Sequence, residues 1–484
     1  MLKRIRIILS LVVLASIFLS SCSAEKTTEK KAKYVFYFIG DGMGIQHVNT
    51  TQAFLAAQDS AKGNYPLSFT NFPITGFATT YSATRYITCS AAAGTALATG
   101  TKTSINTISM NADHSDTLYS IAYHANKNGF KVGITTSVSI DHATPAAFYA
   151  HQEERDFYHN ISHEMITSGF RFFAGGGFID PDGKRTANPK GNIYEVGAQK
   201  GLFFTQNLSL PDSILQSERT IVYTAPNPAT GSALQYYIDK SESDVSLADI
   251  TSTAIQALDN PYGFFLMVEG GKIDWACHNN DALTTIYETI SFSKAVEVAY
   301  EFYKKHPNET LIVITADHET GGFSLGSRSR GYDSNISLLS NQKQSYEAFN
   351  DKVAAFKAQH EGKPTFKNFL KFLKDEIGLG EGDLAFSNGN LSTLRQAFDA
   401  SRGQLTAMQV DLVNDEYGDF DPLTMAAIKV LNQKAGIGWT SYSHTGSQVP
   451  VYAIGVGQEL FAGQIDNTDI PKFIAKAMGI DLNK

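Results

Sequence analysis

Apolar, β-branched runs recur along the chain at 34–39, 132–140, 264–268, 311–314 and 451–456. Each is short enough for a buried strand, and the segments between them carry helical patterns. Strands alternating with helices predict an α/β fold: a mostly parallel central sheet with helices on both faces. No internal repeat or low-complexity segment breaks this order in the mature chain. One stretch departs from it. From 327 to 438 the chain is polar and helical in pattern, with Gly and Asn breaks at 378–382 and 387–390. That is too long for a plain loop and predicts an inserted subdomain over one end of the sheet. A second segment, 175–227, is rich in Gly, Pro and Asn and reads as a surface excursion.

The first residues follow a different logic. Lys3, Arg4 and Arg6 precede an apolar run at 7–19 that is too short to span a membrane as a helix, so residues 1–21 read as a leader. The run ends in Leu19-Ser20-Ser21-Cys22, which resembles the lipobox of bacterial lipoproteins. That resemblance implies lipidation of Cys22 as the new N-terminus, export, and anchoring to a bacterial membrane facing the periplasm. An ordinary signal peptide with an incidental Cys is the competing reading. Residues 22–33 are polar and charged and read as a flexible tether, leaving 34–484 as the folded domain. Cys89 and Cys277 remain; each sits beside a candidate site residue, which disfavours a bridge between them.

Composition adds two bounds. The 484 residues are 43% hydrophobic, enough for a large core. The net charge of -8 argues against a basic nucleic-acid-binding face. It leaves an anionic substrate open if metal ions neutralise it locally.

Candidate chemistry lies where polar residues close the apolar runs. Asp41, then His142 and Thr144, then Glu269, then Asp317 and His318 each follow one of four strands. In open α/β sheets, ligands bind beyond the carboxyl ends of the strands. A single strand-end Asp is as often a turn or cap. Four strands aiming oxygen and nitrogen donors at one crevice point to metal binding. Asp274 and His278 are four residues apart, so on a helix they share a face and can clamp one ion; alone they would read as a surface pair. Ser90 opens the small-residue run SAAAGTALATG, which places it at a helix N-terminus. Free backbone N–H groups and the helix dipole there suit a phosphoryl group, although a plain N-cap is the commonest role for such a Ser. No general base is adjacent in sequence, so a nucleophilic Ser90 needs a metal to activate it. Glycines at 40–44, 270–271 and 321–322 allow tight turns and close backbone approach.

Taken together and in order, GDGMG, SAAAGTALATG, HATPAAFYAH, VEGGKIDWACH, TADHETGG and SYSHTG resemble the alkaline phosphatases over about 34–456. The resemblance implies hydrolysis of phosphate monoesters through a phosphoserine, two zinc ions, a third metal (usually magnesium) and often a homodimer. Residue by residue, it implies Ser90 as nucleophile. It implies Asp274, His278 and His444 at the first zinc, and Asp41, Asp317 and His318 at the second, which also binds Ser90 Oγ. Asp41, Thr144 and Glu269 would hold the third metal, with His142 beside it. Arg155 would bind phosphate; by itself it reads as a solvated charge.

Two departures from the family pattern stand out. Cys89 precedes the nucleophile where the family commonly has an Asp that orients the arginine, which leaves Arg155 looser or held by another group. His142 and Trp275 occupy variable positions around the third metal. An imidazole there weakens the preference for magnesium and opens the site to zinc or cobalt. Among alternatives, a sulfatase is rejected because Cys89 is followed by SAAAG rather than x-P-x-R. A phosphodiesterase of the same superfamily usually has a Thr nucleophile and lacks the third-metal set; Thr144, Glu269 and Arg155 favour monoesters. A non-catalytic phosphate- or metal-binding lipoprotein should have lost a ligand or the nucleophile, and none is missing.

Overall fold

The computed structural model describes residues 30–328, 330–403 and 420–482. The leader, Cys22 and most of the tether expected at 22–33 lie outside the described residues. Ten strands form one sheet: β1 (Tyr34–Ile39), β2 (Ile74–Thr79), β3 (Lys131–Thr136), β4 (Phe172–Gly175), β5 (Phe203–Thr205), β6 (Ile221–Thr224), β7 (Phe264–Glu269), β8 (Thr310–Thr315), β13 (Val449–Gly455) and β14 (Gly463–Asp466). Two ribbons stand apart from it: β9 (Glu319–Thr320) with β12 (His444–Thr445), and β10 (Ser324–Leu325) with β11 (Ile437–Gly438).

The order across the large sheet is β14-β2-β13-β8-β1-β7-β3-β4-β6-β5. Every neighbouring pair is parallel except the two that β13 makes. The centre is apolar on both faces: β1, β7 and β8 read YVFYFI, FFLMVE and TLIVIT and are buried throughout. Such continuous runs are what a parallel sheet needs when helices cover both of its sides. Ile39 pairs with Glu269 on β7 and with Thr315 on β8, and Thr136 of β3 also pairs with Glu269. The carboxyl ends of four adjacent strands are therefore level, and the residues that follow them emerge at one rim.

Two expectations change here. The run at 132–140 leaves the sheet after Thr136. Ser137 N–H still reaches Glu269 O, but Ile140 N–H donates to Gly177 O, 2.9 Å away. Val138 and Ile140 stay buried without being strand, so apolar alternation continued past the last ladder bond. The segment 175–227 is more than an excursion. Phe203–Thr205 and Ile221–Thr224 add two strands to the sheet edge, and Ile221 to Tyr223 are buried. Their brevity hides them among the Gly and Pro signals.

The segment expected as an insertion leaves the body after β10 and returns through β11. Its described helices include Tyr346–Gln359, Phe366–Ile377, Asn388–Ser401 and Pro422–Ala435; residues 404–419 lie outside the described residues. They enclose a second core around Phe349, Val353, Leu373, Leu394 and Leu431, to which Phe54 and Ile286 of the main body contribute. Asp281, which caps helix Ala282–Lys305, ties the two parts together. Its carboxylate also accepts from Gln342 Nε2 and from the Tyr346 N–H. Cys89 and Cys277 are free thiols.

Candidate active site

At the level strand ends the predicted residues converge. After β1 the chain turns through Gly40-Asp41-Gly42. Gly42 has φ +75, and a Cβ there would lie 2.9 Å from the Asp274 Cα. Only glycine lets this turn pass so close to the next helix. Its N–H donates to Asp317 Oδ1 at 3.1 Å. Glu269 is the last residue of β7. Helix Lys272–His278 then places Asp274 Oδ2 3.3 Å from His278 Nε2. Asp317 and His318 follow β8, and the β9–β12 ribbon brings His444 over them, with the His318 and His444 rings stacked at 3.6 Å.

The histidine tautomers follow from their outer partners. His278 Nδ1 lies 2.6 Å from Tyr442 O, and His444 Nδ1 lies 2.9 Å from Thr88 O. A carbonyl only accepts, so both Nδ1 atoms carry the hydrogen and both Nε2 atoms present lone pairs. Those Nε2 atoms face each other at 3.1 Å. Two lone pairs at that distance repel unless a proton or a cation stands between them.

Ser90 is the first residue of helix Ser90–Thr99 and is buried. No side chain caps that helix, so its N-terminal dipole faces the crevice unopposed. Ser90 Oγ lies 3.3 Å from His318 Nε2. The Thr88 carbonyl, two residues upstream, holds His444, so nucleophile and imidazole are positioned by one backbone segment. Arg155 is half-buried, and its Nη2 is 3.0 Å from His142 Nε2. The Cys89 Sγ accepts from the Asn106 N–H at 3.1 Å.

Charge repulsion marks the centre. Burial and the Asp317 carboxylate push the Asp41 carboxyl well above its usual range. Burial and Asp274 push Asp317 up to about 7. Burial would raise Asp274 too, but the charges of His278, His444 and His318 hold it well below the ordinary value. Asp274 in turn raises His278 to about 9, while burial lowers both His318 and His444. A crevice this rich in buried carboxylates is stable only when cations or protons compensate them.

Unpartnered atoms support cations. Asp41 Oδ1 and Oδ2, Asp317 Oδ2, Glu269 Oε1, Thr144 Oγ1 and His142 Nδ1 are buried and have no hydrogen-bond partner among the described residues. Ligand atoms gather within 4.8 Å in three sets: Asp274, His278 and His444; Asp41, Asp274 and His318; and Asp41, His142 and Glu269. The donor chemistry fits, nitrogen-rich in the first set and oxygen-rich in the third. Asp274 belongs to two sets, where it was expected at one. Asp317 is outside the second set but keeps its Oδ2 3.2 Å from His318 Nε2.

Sequence reasoning passed over the residues that orient these ligands. Thr320 Oγ1 donates to Asp274 Oδ1 at 2.5 Å, and Thr136 donates to Glu269 Oε2. Thr320 lies within TADHETGG and Thr136 within the apolar run at 132–140, but a supporting hydroxyl has no signature of its own. Lys272, the first residue of the site helix, is buried, with its Nζ 3.4 Å from the centre of the Tyr236 ring and donating to Leu234 O.

A parallel sheet whose carboxyl rim carries a helix-terminal serine before clustered Asp, Glu and His side chains defines a metal-binding α/β protein of hydrolase type. The alkaline phosphatase family matches residues 32–171 and 229–480, and the chain belongs to that family. The stretch between the two matched segments contains β4, β5 and β6. Alkaline phosphatase 3 of Bacillus subtilis is 30% identical, over 97% of this chain and 96% of that protein. Alkaline phosphatase 4 of the same organism is 30% identical over 94% and 91%. Among solved structures, a cold-active alkaline phosphatase from a Shewanella psychrophile superposes with a TM-score of 0.73 at 28% identity, covering 92% of this chain and 99% of that one. The alkaline phosphatase of the Antarctic bacterium TAB5 gives 0.63 at 25% identity over 94% and 100%. Variants of the TAB5 enzyme have been solved with Mg bound in a site called M3.

Proposed function

We propose that this protein is an alkaline phosphatase that hydrolyses phosphate monoesters through a phosphoserine at Ser90. The observation that carries the reading is Ser90 Oγ at a buried helix N-terminus, 3.3 Å from His318 Nε2 and in front of the three ligand sets. Asp274, His278 and His444 would hold one zinc, and Asp41, Asp317 and His318 a second. Asp41, Glu269 and Thr144 would hold a third ion, magnesium by analogy with the TAB5 variants. When bound, such ions supply Lewis acidity to the Ser90 hydroxyl and to the leaving oxygen.

The chain's own residues do the rest. Ser90 Oγ forms the new bond to phosphorus as the bond to the alcohol oxygen breaks, and the alcohol leaves with a proton. A water oxygen then bonds to phosphorus, the P–Oγ bond breaks, and inorganic phosphate and free Ser90 result. Arg155 would grip two phosphoryl oxygens through its planar fork. The amides at the start of helix Ser90–Thr99 would add their dipoles to the same anion. Catalysis of this kind is mainly positioning and charge stabilisation.

Substrate form separates this reading from a phosphodiesterase. The purified enzyme is expected to have a kcat/KM for p-nitrophenyl phosphate at least about a hundredfold above that for bis-p-nitrophenyl phosphate, because Arg155 and three cationic sites match a dianion. A preference for the diester would reverse the assignment, and turnover of neither would leave a binding protein. Lipid anchoring through Cys22, placement on the periplasmic side and a homodimer belong to the same proposal. They are supported by the leader pattern and the family resemblance. No described helix is long and apolar enough to cross a membrane.

A further inference from the structure

We infer that Asn280 is a positioning residue for the first ligand set, its side-chain amide fastening the segment that carries His444 to the end of the helix that carries His278. The inference rests on the alkaline phosphatase reading and deepens it, because that set is where the first zinc would sit. Helix Lys272–His278 stops at Asn279, and Asn280 takes the left-handed conformation with φ +48. The Asn280 N–H donates to Cys277 O at 2.9 Å and the Asp281 N–H to Ala276 O at 3.0 Å. Those two bonds close a helix on a left-handed residue, a task that glycine performs at no steric cost. Ending the helix makes no use of the asparagine side chain.

That side chain is engaged elsewhere. Asn280 Nδ2 lies 2.9 Å from Cys277 O and 2.9 Å from Ser441 O. Both acceptors are carbonyls, so both amide hydrogens are used and the orientation of the amide is settled. One bond stays within the His278 helix. The other crosses 161 positions of the chain to the segment 441–444. Two groups of the site lie on that segment. Tyr442 O accepts from His278 Nδ1 at 2.6 Å, and His444 Nε2 stands 3.1 Å from His278 Nε2. The same segment is held on its other side by Gly321, three residues after His318. The Ser441 N–H donates to Gly321 O and the Gly321 N–H to Ser443 O, each at 3.0 Å. Asn280 thus closes the segment against the His278 helix as Gly321 closes it against the end of β8.

The inserted region takes part in this support. Asn432, buried on helix Pro422–Ala435, donates from Nδ2 to Asn280 O at 2.6 Å. A helix of the insertion therefore bears on the residue that spaces His278 and His444. Groups that orient metal ligands without touching the ion are typically worth about ten- to a hundredfold in metal affinity.

Asn280→Gly in the full-length protein tests this, because it keeps the left-handed turn and removes the amide. Zinc is the probe. Competition with a chelator reads the dissociation constants of the bound ions, and the metal-free melting temperature reads the fold. The variant is expected to bind one zinc about tenfold or more weakly, with the other ion sites and the metal-free melting temperature close to wild type. Its kcat for p-nitrophenyl phosphate should fall at limiting zinc and recover in part as zinc is raised. Wild-type zinc affinity in Asn280→Gly would mean that the residue merely ends its helix, and would overturn the inference. Weakening of every ion site together with a lowered metal-free melting temperature would make it a general support of the fold, and would overturn it equally. Should Asn280→Gly not fold, Asn432→Ala decides: loss of affinity at one zinc supports the inference and unchanged affinity overturns it. Failure of the underlying reading shows differently, as wild-type protein that binds zinc without hydrolysing p-nitrophenyl phosphate, which leaves the zinc comparison intact.

Discussion

Ser90→Ala is expected to lower kcat/KM for p-nitrophenyl phosphate by at least about a thousandfold, with metal content unchanged. The large effect follows from the geometry. Among the described residues, Ser90 Oγ is the hydroxyl that meets His318 Nε2, and it does so at an uncapped helix N-terminus. Without it, hydrolysis must proceed by direct attack of water, and no two-step route through the protein remains. Residual activity from phosphate binding and charge stabilisation should survive, because Arg155 and the ligand sets are untouched. Steady-state kinetics together with elemental analysis read both quantities. A fall of less than about tenfold with the metals retained would mean that Ser90 only caps its helix.

Metal removal should have the second-largest effect, on activity and on stability together. Chelation is expected to abolish turnover and to lower the melting temperature by roughly 10 °C. Each ion present at about a hundred to a thousand times its Kd adds about 3–4 kcal/mol, and a chain of this size moves only a degree or two per kcal/mol. The dependence on pH has a definite sign. In the metal-free protein His278 is raised to about 9, chiefly by Asp274. Relative to an unfolded value near 6.5, that stability is complete below 6.5 and lost as pH climbs through 9. Asp317, raised to about 7 by burial and Asp274, keeps its proton longer folded than unfolded. Its ionisation therefore removes further stability as pH rises from about 4 to about 7. Metal binding needs both groups deprotonated, so affinity should increase across the range where the metal-free protein weakens. The gap between metal-loaded and metal-free melting temperatures should thus widen from pH 6 to pH 9. A constant or narrowing gap would show that these residues do not bind the ions.

Much of this arrangement was legible along the chain, for a physical reason. Asp41, Glu269, Asp317 and His318 each follow a run of side chains that can only be buried strand, so the strand ends and their polar successors announce themselves. The spacing of Asp274 and His278 and the small residues after Ser90 are likewise local signals, and both became helices as expected. What escaped depends on contacts between distant segments. Nothing at 203–205 or 221–224 distinguishes a three- or four-residue strand from a loop until β4 offers an edge to 221–224 and that strand in turn offers one to 203–205. The shared position of Asp274 between two ligand sets arises from the turn at Gly42, 232 residues away in the chain. The pairing of His142 with Arg155 is set by how residues 143–154 fold back, and neither residue type requires it.

The question left open by Cys89 also moves. A family resemblance cast doubt on how Arg155 is held, because a thiol is a poor acceptor for a guanidinium. The structure offers an imidazole for that task.

The central claim is that phosphate passes through Ser90. It is tested most directly by stopping turnover of a phosphate monoester with acid and mapping phosphate on the peptides by mass spectrometry. The account predicts phosphate on Ser90 of the wild-type protein, increasing with substrate until saturation, and none at that position in Ser90→Ala. Unmodified Ser90 in a turning-over enzyme, or phosphate trapped on another residue, would contradict it.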